Sequence, residues 1–332
     1  MATLGKFTLP DHDSVLAEQM LEGLASVEQL LQDTVTSDDP FVSEVARHLV
    51  DAGGKRFRPM LVLLSAQFGD PAAAEVIPSA VVVELTHLAT LYHDDVMDEA
   101  QLRRGADSAN ARWGNSVAIL TGDFLFARAS DLLADLGPEA VRIQARTFER
   151  LVRGQIHETV GPVDGEDPLD HYLRVVADKT GSLIATSGRF GGLLSGADPR
   201  TTDVLTRFGE RIGVAFQLAD DLLDIESETT QSGKTPGTDL REGVPTLPVF
   251  HALRSTEPEH ARLRALLSRP LPDDAEHAEA LGLLRTHPAM DAARAELGRW
   301  ADDARAELEP LPDGAAKDAL ISLCDVVITR SG

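Results

Sequence analysis

Between Pro78 and Gly105 the chain runs without a proline or a glycine. Its first half, VVVELTHLATLY, is apolar on more than one face, so a helix here needs burial on nearly every side. That demand is met only inside a large helical bundle. The rest of the sequence agrees. Apolar positions recur at threes and fours over 12–34 (Val15, Met20, Leu21, Leu24, Val27, Leu30, Leu31). Helices are predicted over 40–51, 59–68, 115–136, 138–160, 169–178, 180–195 and 201–226, with Pro59 and Pro78 suited to first turns. Strand-like alternation is scarce and aromatics make up only 5%. The expected fold is all-α: one domain over 1–332, a single large bundle of about a dozen helices. Segments 161–168, 232–248, 255–275 and 309–315 read as loops or connectors, and 249–332 as C-terminal helices.

Charge and cysteine content exclude several classes. Among 332 residues, 31 Lys and Arg face 54 Asp and Glu, a net charge of −23. That argues against a nucleic-acid partner and against a polybasic membrane patch. The single cysteine, Cys324, rules out an internal disulfide and points to a reducing, cytoplasmic setting. No apolar run is long enough for a membrane span, and Asp11, Asp13, Glu18 and Glu22 interrupt any signal-peptide pattern.

Two acidic clusters stand out against this background. Asp94, Asp95 and Asp98 in DDVMD share their spacing with Asp220, Asp221 and Asp224 in DDLLD. On a helix, residues four apart lie one above the other, so the outer aspartates of each cluster project together. Each cluster ends a strongly apolar run. A single acid triplet reads most simply as a solvated helix end. Two with the same spacing, neither at a helix N-terminus where acids are favoured, do not. Grouped hard oxygen donors suit Mg²⁺, which takes one or two carboxylates and is completed by water and phosphate. The scarce basic residues gather nearby in sequence: Lys55, Arg56 and Arg58 in GGKRFRP, then Arg103 and Arg104, Lys179, and Lys234. Arginine forks and lysine point charges both bind phosphate oxygens. An acidic chain so arranged is suited to a diphosphate.

These stretches, GGKRFRP, ELTHLATLYHDDVMDEAQLRRG, the KT at 179–180, FQLADDLLD and GKTPGTDLREG, resemble, in order, the trans-prenyltransferases that make all-trans polyprenyl diphosphates. The resemblance covers about 53–248. It implies condensation of an allylic diphosphate with successive isopentenyl diphosphate units, in a homodimer touching membrane at most transiently. It implies about three Mg²⁺ ions held by Asp94, Asp98 and Asp220 with their neighbours Asp95, Asp221 and Asp224. Position by position, Lys55, Arg58, His87 and Arg104 match the isopentenyl diphosphate pocket. Arg103, Lys179, Thr180, Gln217 and Lys234 match the allylic side. One departure stands at Val244, where the family often has a lysine; Arg241 is the nearby candidate to compensate.

The resemblance also bears on product length. Bulky residues four and five positions before the first aspartate stop chain growth early in the family. Here they are Thr90 and Ala89, both small, which leaves Phe124 and Phe126 as candidate caps of a deeper tunnel. The expected product is long, roughly C30 to C50, of the kind found in quinone side chains, with C15–C20 as the shorter alternative. Three other readings compete. An HD-type phosphohydrolase would use the His93-Asp94 pair but leaves the second cluster unexplained. A class I terpene cyclase shares the first motif but needs no isopentenyl diphosphate pocket. A regulatory subunit of a heteromeric synthase would tend to lack the aspartates.

Overall fold

This computed structural model describes residues 14–227 and 236–329, together with a short ladder of β1 (Thr3–Leu4) and β2 (Phe7–Thr8). In chain order follow α1 (Ser14–Val35), α2 (Pro40–Asp51), α3 (Phe57–Ala66), α4 (Val76–Met97), β3 (Leu102–Arg103), β4 (Ala106–Asp107), α5 (Ala109–Trp113), α6 (Asn115–Leu136), α7 (Pro138–Val160) and α8 (Pro168–Val176). A π-helical turn over Ala177–Gly181 leads into α9 (Ser182–Leu194) and α10 (Pro199–Glu226). The remaining helices are α11 (Thr238–Glu242), α12 (Leu247–Leu253), a 3₁₀ turn (Pro258–His260), α13 (Ala261–Leu267), α14 (Asp274–Arg285), α15 (Ala289–Glu307) and α16 (Ala315–Thr329). The fold is all-α apart from the two short ladders. No described helix is long and apolar enough to cross a membrane.

The chain resolves into two compact units. The first comprises Met1–Glu149, Leu183–Gly209 and Glu307–Ser322. Its axis is α4, where Val81, Val82, Val83, Leu85, Leu88, Ala89 and Tyr92 are fully buried, as the all-round apolar pattern requires. Each large apolar side chain so buried contributes roughly 1.5–3 kcal/mol. Helix α6 lies along α4, and α1 and α3 pack against it. Tyr92 ties α4 to α2: its hydroxyl donates to Val45 O at 2.5 Å and accepts from Leu49 N at 3.3 Å. Helix α2 starts where Asp39 caps the amides of Phe41 and Val42 and Pro40 presets the first turn.

The second unit comprises Arg150–Ser182, Glu210–Ala306 and Leu323–Gly332. The later part of α10 runs through it, with Ile212, Val214, Ala215, Leu218, Ala219, Leu222 and Ile225 fully buried. Asp167 caps α8 and also receives Arg254 at 2.6 Å, fastening α8 to the end of α12.

Several boundaries differ from the sequence expectation. Helix α4 starts at Val76, so Pro78 sits inside its first turn, where a missing N–H costs nothing. The predicted helix 169–178 gives way at Ala177 to the π turn. The connector expected at 255–275 contains the 3₁₀ turn and α13. The expected loop 232–248 contains α11 and the start of α12, while 228–235, with Lys234, lie outside the described residues.

Candidate active site

In the first unit, α4 delivers the DDVMD cluster at its C-terminal end. Its three carboxylates are not equivalent. Asp94 is half-buried and Asp98, the residue that caps the helix, is exposed. Asp95 is 0% exposed and accepts from Arg103 Nε at 2.6 Å. Burial pushes the Asp95 carboxyl up, and the Arg103 guanidinium opposes that rise. The middle aspartate is thus held inside the protein, while Asp94 and Asp98, which the resemblance gives to metal, are less buried.

Arg103 and Arg104 are placed by the β3–β4 hairpin. Leu102 pairs with Asp107 and Arg103 with Ala106, so Arg104 and Gly105 form a two-residue loop, both at positive φ (54° and 81°). That is the pattern of a type I′ hairpin turn, with arginine where asparagine is usual. Arg104 is held there by bonds from Nη1 to Leu49 O at 2.9 Å and to Gly53 O. Arg58 is half-buried; burial and Arg104 push its guanidinium down to about 10, against the pull of Glu84. Its Nε is buried with no hydrogen-bond partner among the described residues. His87 is pushed well below the usual histidine range by burial and by Arg58, Arg104, Arg103 and Arg56, so it is neutral at physiological pH. The sequence reading grouped Arg56 with the phosphate-binding bases and passed over Glu84; in the structure Arg56 is bonded to Glu28 and Glu84, and the two knit these cations together.

His93 belongs to the packing. Its Nε2 lies 3.0 Å from Ile119 O and 3.5 Å from Asp123, and its ring fills the space left by Gly122 on α6. The phosphohydrolase reading, which needed His93 at a metal, loses its first ligand. Below it lies a cavity of about 420 Å³ between α4, α6 and α7, bordered by His93, Phe126, Leu133, Gln144 and Phe148. The rings of Phe126 and Phe148 stand 4.4 Å apart. Phe124 does not line it; its ring faces Arg128 instead, 6.0 Å away. Ala89, fully buried, and Thr90, whose hydroxyl donates to His87 O at 2.8 Å, are also absent from the lining.

In the second unit, α10 delivers DDLLD with the same division of labour. Asp221, 4% exposed, accepts from the Tyr172 hydroxyl, from Gln217 Nε2 at 3.1 Å and from Leu247 N at 3.5 Å. Burial raises its carboxyl to about 7 against these three donors. Asp220 and Asp224 are half-buried on either side of it. Thr180 donates to Gln217 Oε1 at 3.3 Å, so Thr180, Gln217, Asp221 and Tyr172 form one hydrogen-bonded chain. Lys179 and Thr180 both come from the π turn, an irregularity common at functional sites. Gly154 on α7 lets the turn approach: a Cβ there would stand 2.7 Å from Lys179 N. Lys179 Nζ pairs with Glu158 at 2.5 Å. Glu158 and Tyr172 escaped the sequence reading, since nothing local marks them. Val244 is exposed, and Arg241 pairs with Asp274 at 2.7 Å and reaches Pro272 O at 3.3 Å.

Among the described residues no three His, Cys, Asp or Glu side chains converge on one point as a ready-made metal cage. The donors fit Mg²⁺ in the other way it is held, by one or two carboxylates with substrate oxygens completing the shell.

Known proteins point the same way. The polyprenyl synthetase family matches residues 39–284. A nonaprenyl diphosphate synthase of Mycobacterium tuberculosis is 54% identical over 96% of both chains. The octaprenyl diphosphate synthase of Escherichia coli is 32% identical over 94% of this chain and 97% of its own. A solved geranylgeranyl pyrophosphate synthase from Corynebacterium glutamicum, complexed with calcium and isoprenyl diphosphate, shares 48% identity and a TM-score of 0.88, covering 98% of this chain and 100% of that one. With the all-α fold and both aspartate motifs intact, the chain belongs to the polyprenyl synthetase family and is a polyprenyl diphosphate synthase, a prenyltransferase.

Proposed function

We propose that the chain, acting as one catalytic domain, extends an allylic diphosphate with successive isopentenyl diphosphate units to an all-trans product of roughly C30 to C50, for use as a quinone side chain. The 54% identity to a nonaprenyl diphosphate synthase across nearly the whole of both chains carries the length assignment. Asp94, Asp98, Asp220 and Asp224 hold Mg²⁺, about three ions, with Asp95 and Asp221 fixing the motifs from inside. When bound, Mg²⁺ neutralises the charge developing on the departing diphosphate as a Lewis acid. Lys179, Thr180, Gln217, Lys234 and Arg103 serve the allylic diphosphate. Lys55, Arg58, His87 and Arg104 receive isopentenyl diphosphate, with neutral His87 offering an N–H rather than a charge. The last proton leaves with the released diphosphate, so no dedicated protein base is required.

A specific observation favours a second, shorter reading: the solved relative at 48% identity is a geranylgeranyl pyrophosphate synthase, a C20 enzyme. Product analysis by mass spectrometry, with a C15 primer, isopentenyl diphosphate and Mg²⁺, separates the two. A ladder ending between C30 and C50 is expected; a stop at C20 overturns the length. In the same assay Phe126→Ala should lengthen the product by at least one five-carbon unit, because Phe126 borders the cavity, and Phe124→Ala should not. Diphosphate release without elongation would favour the cyclase.

We also propose a homodimer. Ile119 and Leu120 on α6 and Val141 on α7 are exposed, Leu120 at 66%, and such apolar surface marks association. Sedimentation equilibrium at micromolar concentration should give twice the chain mass, and a monomer there would sink the assignment. The product's solubility in lipid implies at most transient membrane contact.

A further inference from the structure

We propose that Glu84 is a positioning residue for the isopentenyl diphosphate subsite, a buried carboxylate that holds the receiving arginines apart and in place. The inference rests on the assignment of Arg58, His87 and Arg104 to that subsite.

Glu84 lies on α4, ten residues before Asp94, and is 2% exposed. A carboxylate buried that deeply persists only if cations surround it. Its Oε1 accepts from Arg56 Nη1 at 2.8 Å and stands 4.0 Å from Arg104 Nη2. Its charge also favours the Arg58 guanidinium. One carboxylate on the rigid central helix therefore faces three arginines from two separate segments.

Both segments are strained where they meet it. Arg56 and Arg104 are non-glycine residues at positive φ, 48° and 54°. Such backbone persists only where surrounding contacts over-determine it. For Arg56 those contacts are complete: Nε and Nη2 bond Glu28 at 2.9 and 3.0 Å, Nη2 reaches Val50 O at 3.2 Å, and Nη1 takes Glu84. Arg56 is thereby a strut and not a ligand. Glu84 links this strut, which fixes the segment bearing Lys55 and the first turn of α3 bearing Arg58, to the hairpin turn bearing Arg104.

The charges make the same point. Four guanidiniums (Arg56, Arg58, Arg103, Arg104) share three carboxylates (Glu28, Glu84, Asp95). Glu28 is occupied by Arg56 and Asp95 by Arg103. Arg58 and Arg104 share Glu84 with Arg56, and Arg58 Nε is buried without a partner among the described residues. These four guanidiniums outnumber the three carboxylates bonded to them, which suits the cluster to receive a diphosphate.

Glu84→Gln keeps the shape and removes the charge. Its KM for isopentenyl diphosphate should rise about tenfold to a hundredfold, the worth of charge-assisted hydrogen bonds. Its KM for the allylic primer should stay within about twofold. Glu84→Asp, which restores the charge on a shorter arm, should recover part of the loss, and it carries the test alone if the glutamine variant does not fold. A purely structural glutamate would lower the active fraction and leave both KM values unmoved, or shift both equally; either result overturns the proposal. Arg58→Met is the control. If it raises the KM for isopentenyl diphosphate while neither Glu84 variant does, only the role of Glu84 falls. If Arg58→Met leaves that KM unchanged, the subsite assignment falls and takes Glu84 with it.

Discussion

Replacing Asp94 by asparagine should cut kcat by about a thousandfold or more while barely changing stability, whereas the same change at Asp95 should do the reverse first. Asp94 is half-buried, and the proposed function gives its charge to the metal. Stabilisation by a bound metal is worth several kcal/mol, and each 1.36 kcal/mol is a factor of about ten in rate. Asp95 is wholly buried against Arg103 at 2.6 Å. Breaking a buried pair costs about 3–5 kcal/mol, and the quarter exposure of Arg103 puts this one at the lower end, near ~3 kcal/mol. Urea unfolding and steady-state kinetics with a Mg²⁺ titration, run on both variants, check the contrast. Equal losses of stability, or a fully active Asp94 variant, would show that the motif is not divided as described.

Gly191→Val should destabilise the protein by about 3 kcal/mol or more, at or beyond the top of the usual range for overpacked sites. Helix α9 crosses α3 through Gly191. A Cβ there would stand 2.3 Å from Val62 O and 2.6 Å from Ser65 Cβ, with Ala66 N at 3.1 Å. Two of these three atoms are backbone, on a fully buried stretch of α3 that has no room to retreat. A total stability of about 5–15 kcal/mol leaves little reserve for such a change. Gly192→Ala is the internal control. Its nearest neighbours are the side chains of Leu205 and Thr202 at 3.1 Å, which can shift, so about 1 kcal/mol or less is expected. Urea midpoints decide: similar values for the two variants would mean that α9 and α3 are not in backbone contact.

Much of this architecture is written in local pattern. The bounds predicted for α6 and α7, 115–136 and 138–160, are those observed, because Gly114 and Gly137 punctuate them at positive φ. Where the reading failed, the cause lay in lengths or partners that local pattern does not carry. The seven residues of α13 are too few for periodicity to register, so 261–267 passed as connector. Helix α4 stops at Met97 and not nearer Gly105, because 102–107 forms a hairpin around an arginine turn that no Asn-Gly announces. In the site, the spacing of both aspartate motifs was legible from the helical repeat. Which aspartate faces inward was not, since that is decided by Arg103 in one case and by Tyr172, 49 residues away, in the other. Glu84 reads locally as one acid in an apolar helix. Its meaning comes from Arg56, 28 residues earlier, and from Arg104.

The π turn at Ala177–Gly181 has a consequence for how this chain tolerates insertion and deletion. Such a turn holds one residue more than the α-helix around it needs. Deleting a single residue between 177 and 181 would therefore leave a regular helix, with no broken hydrogen-bond ladder to betray the change. The helical segments on either side would keep their faces, because the wider turn is what absorbs the extra residue, but the residues of the turn itself would be re-aimed. Lys179 and Thr180 would leave Glu158 and Gln217 while the helix stayed sound. Along this segment the length of the chain, counted in residues, is itself under constraint, and a homologue shorter here by one residue would be an intact fold with a misaimed lysine.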